Sequence, residues 1–166
     1  ALEMAGITKD TPNPVDGIID RDPETGELIG SLQEGAMTLM EKIIPPDSLE
    51  SKLAGLRYSI KMLNGYGITA IQDAIVREPD LKTYQHLEEN NELSLRVVAS
   101  QWWERSEGLE QLKHFNLLRD KYTSRLINPS TIKIMQDGLV ENYTAVLVDH
   151  YHNVPGPTKG IPMVEP

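Results

Sequence analysis

Leu93-Ser-Leu-Arg-Val-Val-Ala-Ser100 is an apolar run of strand length set between two helical stripes, and that setting decides the fold class. On its N-terminal side, Pro79 to Asn90 reads as a helix with Leu81, Tyr84 and Leu87 on one side. Before that helix, Gly67-Ile-Thr-Ala-Ile-Gln-Asp73 is another run of strand length, preceded by the stripe Leu49, Leu53, Leu56, Ile60 and Leu63, which ends at Asn64-Gly65. On the C-terminal side, Gly108 to Tyr122 carries Leu109, Leu112, Phe115 and Leu118 at helical spacing. Thr131-Ile-Lys-Ile-Met-Gln136 then reads as a third strand, followed by Asp137-Gly138. Helix and strand alternate in steps of roughly 30 residues, the pattern of parallel βα units, because parallel neighbours need a long crossover between them.

The flanking segments read differently. Residues 1–5 resemble the last turn of a helix stopped by Gly6, with no capping residue at its start, as if the chain were cut inside an element. Gly17-Ile-Ile-Asp-Arg21 and Leu28-Ile-Gly-Ser-Leu32 flank a turn-rich loop, so a hairpin is expected. Leu32, Ala36, Leu39, Met40 and Ile43 sit at helical spacing and predict a helix over 32–43, closed by Pro45-Pro46, with Asp47 or Ser48 capping the next. The tail, 149–166, holds four prolines and no pattern. The division expected is 1–45, a helix and hairpin segment, followed by 46–166, a βα segment with an irregular tail. An open doubly wound sheet suits the length, since a closed barrel of eight strands needs roughly 250 residues. The Gly-rich phosphate loop of many doubly wound folds is missing, however, and periodicity leaves both architectures open.

Composition excludes several functions. With 16 Lys+Arg against 25 Asp+Glu the net charge is −9, which is unsuited to neutralising a row of phosphates, so no nucleic-acid partner is expected. The chain has no Cys, hence no disulfide, thiolate metal site or Cys nucleophile. No apolar run is long enough to span a bilayer, so no membrane partner is expected either.

Taken in order, Ala1-Leu-Glu-Met-Ala-Gly-Ile-Thr8, the hairpin from Gly17 through Arg21-Asp-Pro-Glu-Thr-Gly-Glu27 to Gly30-Ser-Leu32, and Leu32-Gln-Glu-Gly-Ala36 resemble the lid region of the amidohydrolase family 3 type of metal-dependent hydrolase. Gly67-Ile-Thr-Ala-Ile-Gln-Asp-Ala74, Leu95-Arg-Val-Val-Ala99 and Ile132-Lys-Ile-Met-Gln-Asp-Gly138 resemble its second, third and fourth barrel strands, and Glu141-Asn-Tyr-Thr-Ala-Val-Leu147 with Gly160-Ile-Pro162 the loop that follows. The resemblance implies an α/β fold: part of a TIM-type (β/α)8 barrel, about three parallel βα units, preceded by a helix and hairpin lid. It implies a parent enzyme that hydrolyses non-peptide C–N bonds, more rarely esters, in small-molecule substrates. A divalent metal, zinc in many members, activates a water there. Such enzymes draw ligands from an H-x-H pair on the first strand, a bridging Lys or Glu, His residues from the fifth and sixth strands and an Asp from the eighth. Of these, this chain offers only Lys133, as a carboxylated bridging lysine. The chain is therefore expected to be an internal fragment, inactive alone and without tightly bound metal.

The remaining candidates each carry two readings. Lys133 lies within an apolar strand, where an unpaired ammonium is costly; either it ligates metal in the parent, or its stem packs while its head reaches a carboxylate or water. Asp137 and Asp73, with Gln72, are placed at strand ends, where catalytic groups of barrels sit, but Asp also suits turns and helix caps. Glu34 falls in the lid, where a substrate contact competes with a solvated glutamate. Trp102 and Trp103 follow the third barrel strand and either floor a pocket for an apolar acyl or aryl group or pack internally. Val146-Leu-Val-Asp-His-Tyr-His152 imitates a first-strand metal pair, since alternation on a strand would put His150 and His152 on one face. Its position in the loop after the fourth strand argues for surface residues instead. His86 and His114 fall within helices, and Glu88, Glu89 and Glu92 read as a solvated face. A rival class is a non-catalytic α/β interaction module that forms homo-oligomers to cover its open sheet edges. The absence of Cys and of a leader fits the cytoplasm, although a leader on a missing N-terminus would be consistent with the same sequence.

Overall fold

The computed structural model describes residues 1–152, Val154 and 156–164. By packing the chain divides into two compact units, Ala1–Pro46 with Met135–Pro166, and Asp47–Ile134. The described residues from 135 onward thus pack with the N-terminal segment, a grouping by contact that is separate from the lid-and-barrel division read from the sequence.

In the first unit β1 (Gly17–Arg21) pairs antiparallel with β2 (Leu28–Glu34), as the hairpin reading expects. Asp22 organises the connecting loop by accepting hydrogen bonds from the Glu24 and Thr25 amides at 2.9 and 2.8 Å and from the Thr25 hydroxyl at 3.0 Å. Ile7, Ile19 and Ala36 form a small core, with Leu2, Leu28, Leu32, Leu39 and Met40 packed on it. Gly6, at φ 70°, stops a single 3₁₀ turn over Glu3–Ala5, and its N–H caps the Glu3 carbonyl. The helix expected over 32–43 is shorter. Pairing of Leu32 with Ile19 and of Glu34 with Gly17 carries β2 through Glu34, leaving a 3₁₀ turn at Gly35–Met37 and a single turn, α1 (Thr38–Glu41).

The second unit contains α2 (Leu49–Gly65), β3 (Ala70–Val76), α3 (Glu78–Glu89), β4 (Arg96–Trp102), α4 (Gln111–Tyr122) and β5 (Ile127–Lys133). The strands form one parallel sheet in the order β3-β4-β5, in agreement with the alternating pattern. Ser48 caps α2 by accepting from the Ser51 N–H at 3.1 Å. All three helices share one core, in which Leu53 and Ile60 of α2, Leu81 and Leu87 of α3 and Leu118 of α4 meet Val97 and Ala99 of β4.

Strand boundaries move by a few residues, for local reasons. Gly67 and Ile68 donate back to Asn64 and Leu63 and so finish α2, delaying β3 to Ala70. Asn91, at φ 59°, lets Glu92 and Leu93 donate to Leu87, which delays β4. The third strand begins earlier than the sequence suggests, at Ile127, and ends at Lys133. It passes through Pro129, whose missing N–H falls where the register against Val98 and Ser100 shifts.

Candidate functional site

The end of β5 sets the geometry around Lys133. Lys133 is the register partner of Trp102, and its carbonyl accepts from the Trp103 N–H at 3.0 Å. Side chains alternate along strands, so Val97 and Ala99 turn toward the helices while Val98, Ser100 and Trp102 leave the opposite face. Lys133 and Thr131 pair with Trp102 and Ser100 and belong to that opposite face. A row of polar groups crosses all three strands there: Gln72 Nε2 donates to Ser100 Oγ at 2.9 Å, and Ser100 Oγ is 2.9 Å from Thr131 Oγ1. Ser100 is buried, so this row satisfies a hydroxyl that would be costly unpaired. The half-buried Lys133 has no carboxylate within ion-pair distance among the described residues.

The two tryptophans separate. Arg77 stacks over the Trp102 ring at 5.5 Å, whereas Trp103 packs against Phe115 of α4 with ring centroids 6.0 Å apart. Trp102 also lines an open recess of about 260 Å³ with Val76, Arg77, Gln101, Glu104 and His114. Gln101, which also lines it, donates to the Phe115 and Pro129 carbonyls at 3.1 and 2.9 Å, bonding α4 to β5.

Asp73 lies in the middle of β3 rather than at its end, because the strand runs on to Val76. Its carboxylate accepts from the Tyr84 hydroxyl at 2.9 Å and so faces α3, on the helix side of the sheet, away from the face of Lys133. Burial, followed by the Asp73 charge, pushes the Tyr84 phenol above its ordinary range.

Asp137 does not close a strand: β5 ends four residues earlier, and Asp137 accepts from the Val146 N–H at 2.7 Å in the loop beyond. Glu34 belongs to the same unit. Its carboxylate accepts from the Thr144 hydroxyl at 2.8 Å. His150 and His152 are exposed in a segment with no strand, held by Leu147 N–H to Lys159 O and Tyr151 N–H to Thr158 O. Strand alternation therefore does not apply to them. His86 lies on α3 and His114 on α4, as the sequence suggests.

Sequence reading missed Ser100, Thr131 and Thr144. Thr131 had a signal, since it stands two residues before Lys133 and so on the same face of the strand. Thr144 had none, because its partner lies 110 positions earlier.

Among the described residues no group of three His, Asp or Glu side chains could hold a metal ion. Lys133 has no companion ligand here, so these residues do not by themselves fit a metal centre. The arrangement offers a polar row on one sheet face and, at the end of β4, an open recess that Trp102 shares with residues of α4.

Residues 1–166 match the profile described as "Amidohydrolase family". The chain belongs to the amidohydrolase family. This amidohydrolase-family chain is 28% identical over 167 residues to "Putative amidohydrolase YtcJ" of Bacillus subtilis (strain 168), a match that covers 97% of the chain and 30% of that protein. It superposes on an uncharacterized metal-dependent hydrolase from Pyrococcus horikoshii OT3 with a TM-score of 0.62 and 20% identity, over 99% of this chain and 31% of that one. A second such hydrolase, from Pyrococcus furiosus, gives 0.62 and 21%, over 97% and 31%. At these identities the superpositions report the fold. The chain spans about 30% of the length of the curated relative it matches.

Proposed function

We propose that this chain supplies the lid and three consecutive strands of a metal-dependent amidohydrolase acting on non-peptide C–N bonds of small molecules. In this reading 1–45 is lid, and β3, β4 and β5 are the second, third and fourth strands of a (β/α)8 barrel. The observation that carries it is the position of Lys133, at the C-terminal end of a strand and on the face the helices leave open, within a chain matched by the family over its whole length. Active sites of barrel enzymes are built at that end of the strands. The sequential strand order and the single core shared by all three helices favour a barrel segment over a doubly wound sheet, which carries helices on both faces.

In this reading Lys133 would serve as a ligand to a divalent metal, zinc by the family's habit, its deprotonated amine having added to CO2 to give a carbamate with release of a proton. Trp102 walls the substrate side. The remaining ligands lie outside these 166 residues, so the isolated chain is inactive. The reading suits a cytoplasmic enzyme.

The test is elemental analysis and amide hydrolysis on the 166-residue chain and on a version extended at both ends. Stoichiometric metal and activity in the extended protein only, with Lys133→Ala abolishing both, is expected. The loss should be at least the roughly 10–100-fold that follows removal of a ligand's supporting partner. Tightly held metal in the short chain, removed by replacing His150 and His152, would move the site to that pair. A second reading, a non-catalytic module that self-associates, is favoured by the outer edges of β3 and β5, which no strand among the described residues pairs.

A further inference from the structure

Glu34 combines two features that strand pairing alone does not explain. Its backbone lies at φ 50° and ψ −128°, a region that side chains with a Cβ rarely enter, and its carboxylate reaches a residue 110 positions away. The hydroxyl it binds belongs to Thr144, which is fully buried and also accepts from the Leu139 N–H at 2.8 Å. Thr144 in turn organises its loop: its carbonyl accepts from Gly138 and Ile161, and its N–H donates to Leu139 O. Gly138 completes the fit, because a Cβ there would collide with both the Thr144 hydroxyl and the Glu34 carboxylate. On the other side of Glu34, the Gly35 N–H donates to Asp16 O at 2.9 Å, and a Cβ on Gly17 would strike the Ala36 backbone.

We propose that Glu34 and Thr144 form a spring-loaded latch, in which the carboxylate–hydroxyl bond holds the end of β2 in a strained backbone conformation and fastens the 138–146 loop to it. A strained residue persists only where its surroundings over-determine it. Here the determinants are the close-packed glycines on either side and the bond to Thr144. Breaking that bond lets the backbone of Glu34 relax, so hairpin end and loop are released together rather than one after the other. Leu139, Val140 and Tyr143, all exposed, travel with the loop. This inference uses neither Lys133 nor a metal and stands apart from the hydrolase reading.

Hydrogen exchange at the amides of Thr144, Ala145 and Val146 in the 166-residue chain tests it. Glu34→Ala and Thr144→Val should each speed exchange by about tenfold or more, and the double variant should be no faster than the faster single one. Glu34→Gln keeps an acceptor oxygen and should retain protection to within a few-fold. Glu34→Gly should open the loop like Glu34→Ala while leaving β1 and β2 better protected than in Glu34→Ala, because glycine adopts φ 50° freely. Native exchange rates in Glu34→Ala, or independent multiplicative effects of the two single substitutions, would overturn the latch. Should Thr144→Val fail to fold, the contrast between Glu34→Gln and Glu34→Gly decides it: equal protection of the loop in both sinks the proposal.

Discussion

Tyr84 and Glu78 show how single side chains of α3 translate position into pH dependence. The buried Tyr84 donates to Asp73, and burial with the adjacent carboxylate raises its pKa above the ordinary 10.0. Because the folded state holds this proton more tightly, the contribution is fully present below pH 10 and is lost as pH rises through the folded pKa. Tyr84→Phe should cost about 1–3 kcal/mol at neutral pH, by stripping a bond from a carboxylate, and should flatten the alkaline loss of stability. Urea unfolding at neutral pH and above pH 10 checks both. Glu78 has the opposite sign. Its carboxylate accepts from Lys121 and Tyr122, each at 3.0 Å, and its pKa falls from 4.5 to about 2, with the Lys121 bond the largest cause. Its contribution is present above pH 4.5 and disappears as pH falls through about 2. Lys121→Met should bring the Glu78 titration back toward 4.5, as read by carboxyl NMR. Neither residue's role was legible in the sequence, since each depends on partners from other elements, whereas the apolar face carrying Tyr84 was plain from spacing alone.

At the scale of elements, α3 is fixed at its start and along its buried face. Asp80 accepts from the Arg77 N–H at 2.9 Å and from Lys52 of α2 at 2.7 Å, so it both caps α3 and joins it to its neighbour. Asp80→Ala should therefore cost about 0.5–2 kcal/mol, the usual value of a lost cap, the half-exposed ion pair adding little. Leu87, with no exposed surface, should cost about 2–5 kcal/mol as Leu87→Ala. Thermal or denaturant unfolding of the two variants tests the ranking. This helix was legible because Leu81, Tyr84 and Leu87 repeat at helical period over an uninterrupted stretch. The segment 32–43 was misread because Leu32, Ala36, Leu39 and Met40 satisfy the same period. Leu32 nevertheless pairs with Ile19, and a positive φ at Glu34 separates strand from turn. Spacing reports which face is buried but not whether strand pairing claims the residue first. The same limit placed Asp73 and Asp137 at strand ends. Both strands shift along the chain, so Asp73 falls opposite Ala99 on the helix side and Asp137 beyond the sheet. The same shift moves Lys133 from the interior of the expected strand 131–136 to the last residue of β5.

For the molecule as a whole, the parallel sheet leaves two edges. β4 is paired on both sides, but β3 and β5 each have one neighbour, and their outer backbone groups are unpaired by any strand among the described residues. Ile75 of β3 and Ile132 of β5, with Ile134 just beyond, keep 48%, 41% and 49% of their surface exposed. An apolar strand edge of this kind is a template for further pairing. In the barrel reading the neighbouring strands of the longer enzyme occupy those edges; in the module reading a second copy does. The 166-residue chain should accordingly self-associate as its concentration rises, with Ile132→Lys and Ile134→Lys together reducing association, because a charged side chain on an edge opposes pairing. Light scattering over a concentration series separates the readings by the form of the association. An open-ended growth in mass, abolished in the extended protein, is what unfilled barrel edges produce. A dimer of fixed mass that melts cooperatively and persists in the extended protein is what an interaction module produces. A monomer at every concentration would mean that the edges are already satisfied by the chain's own segments, and would count against both.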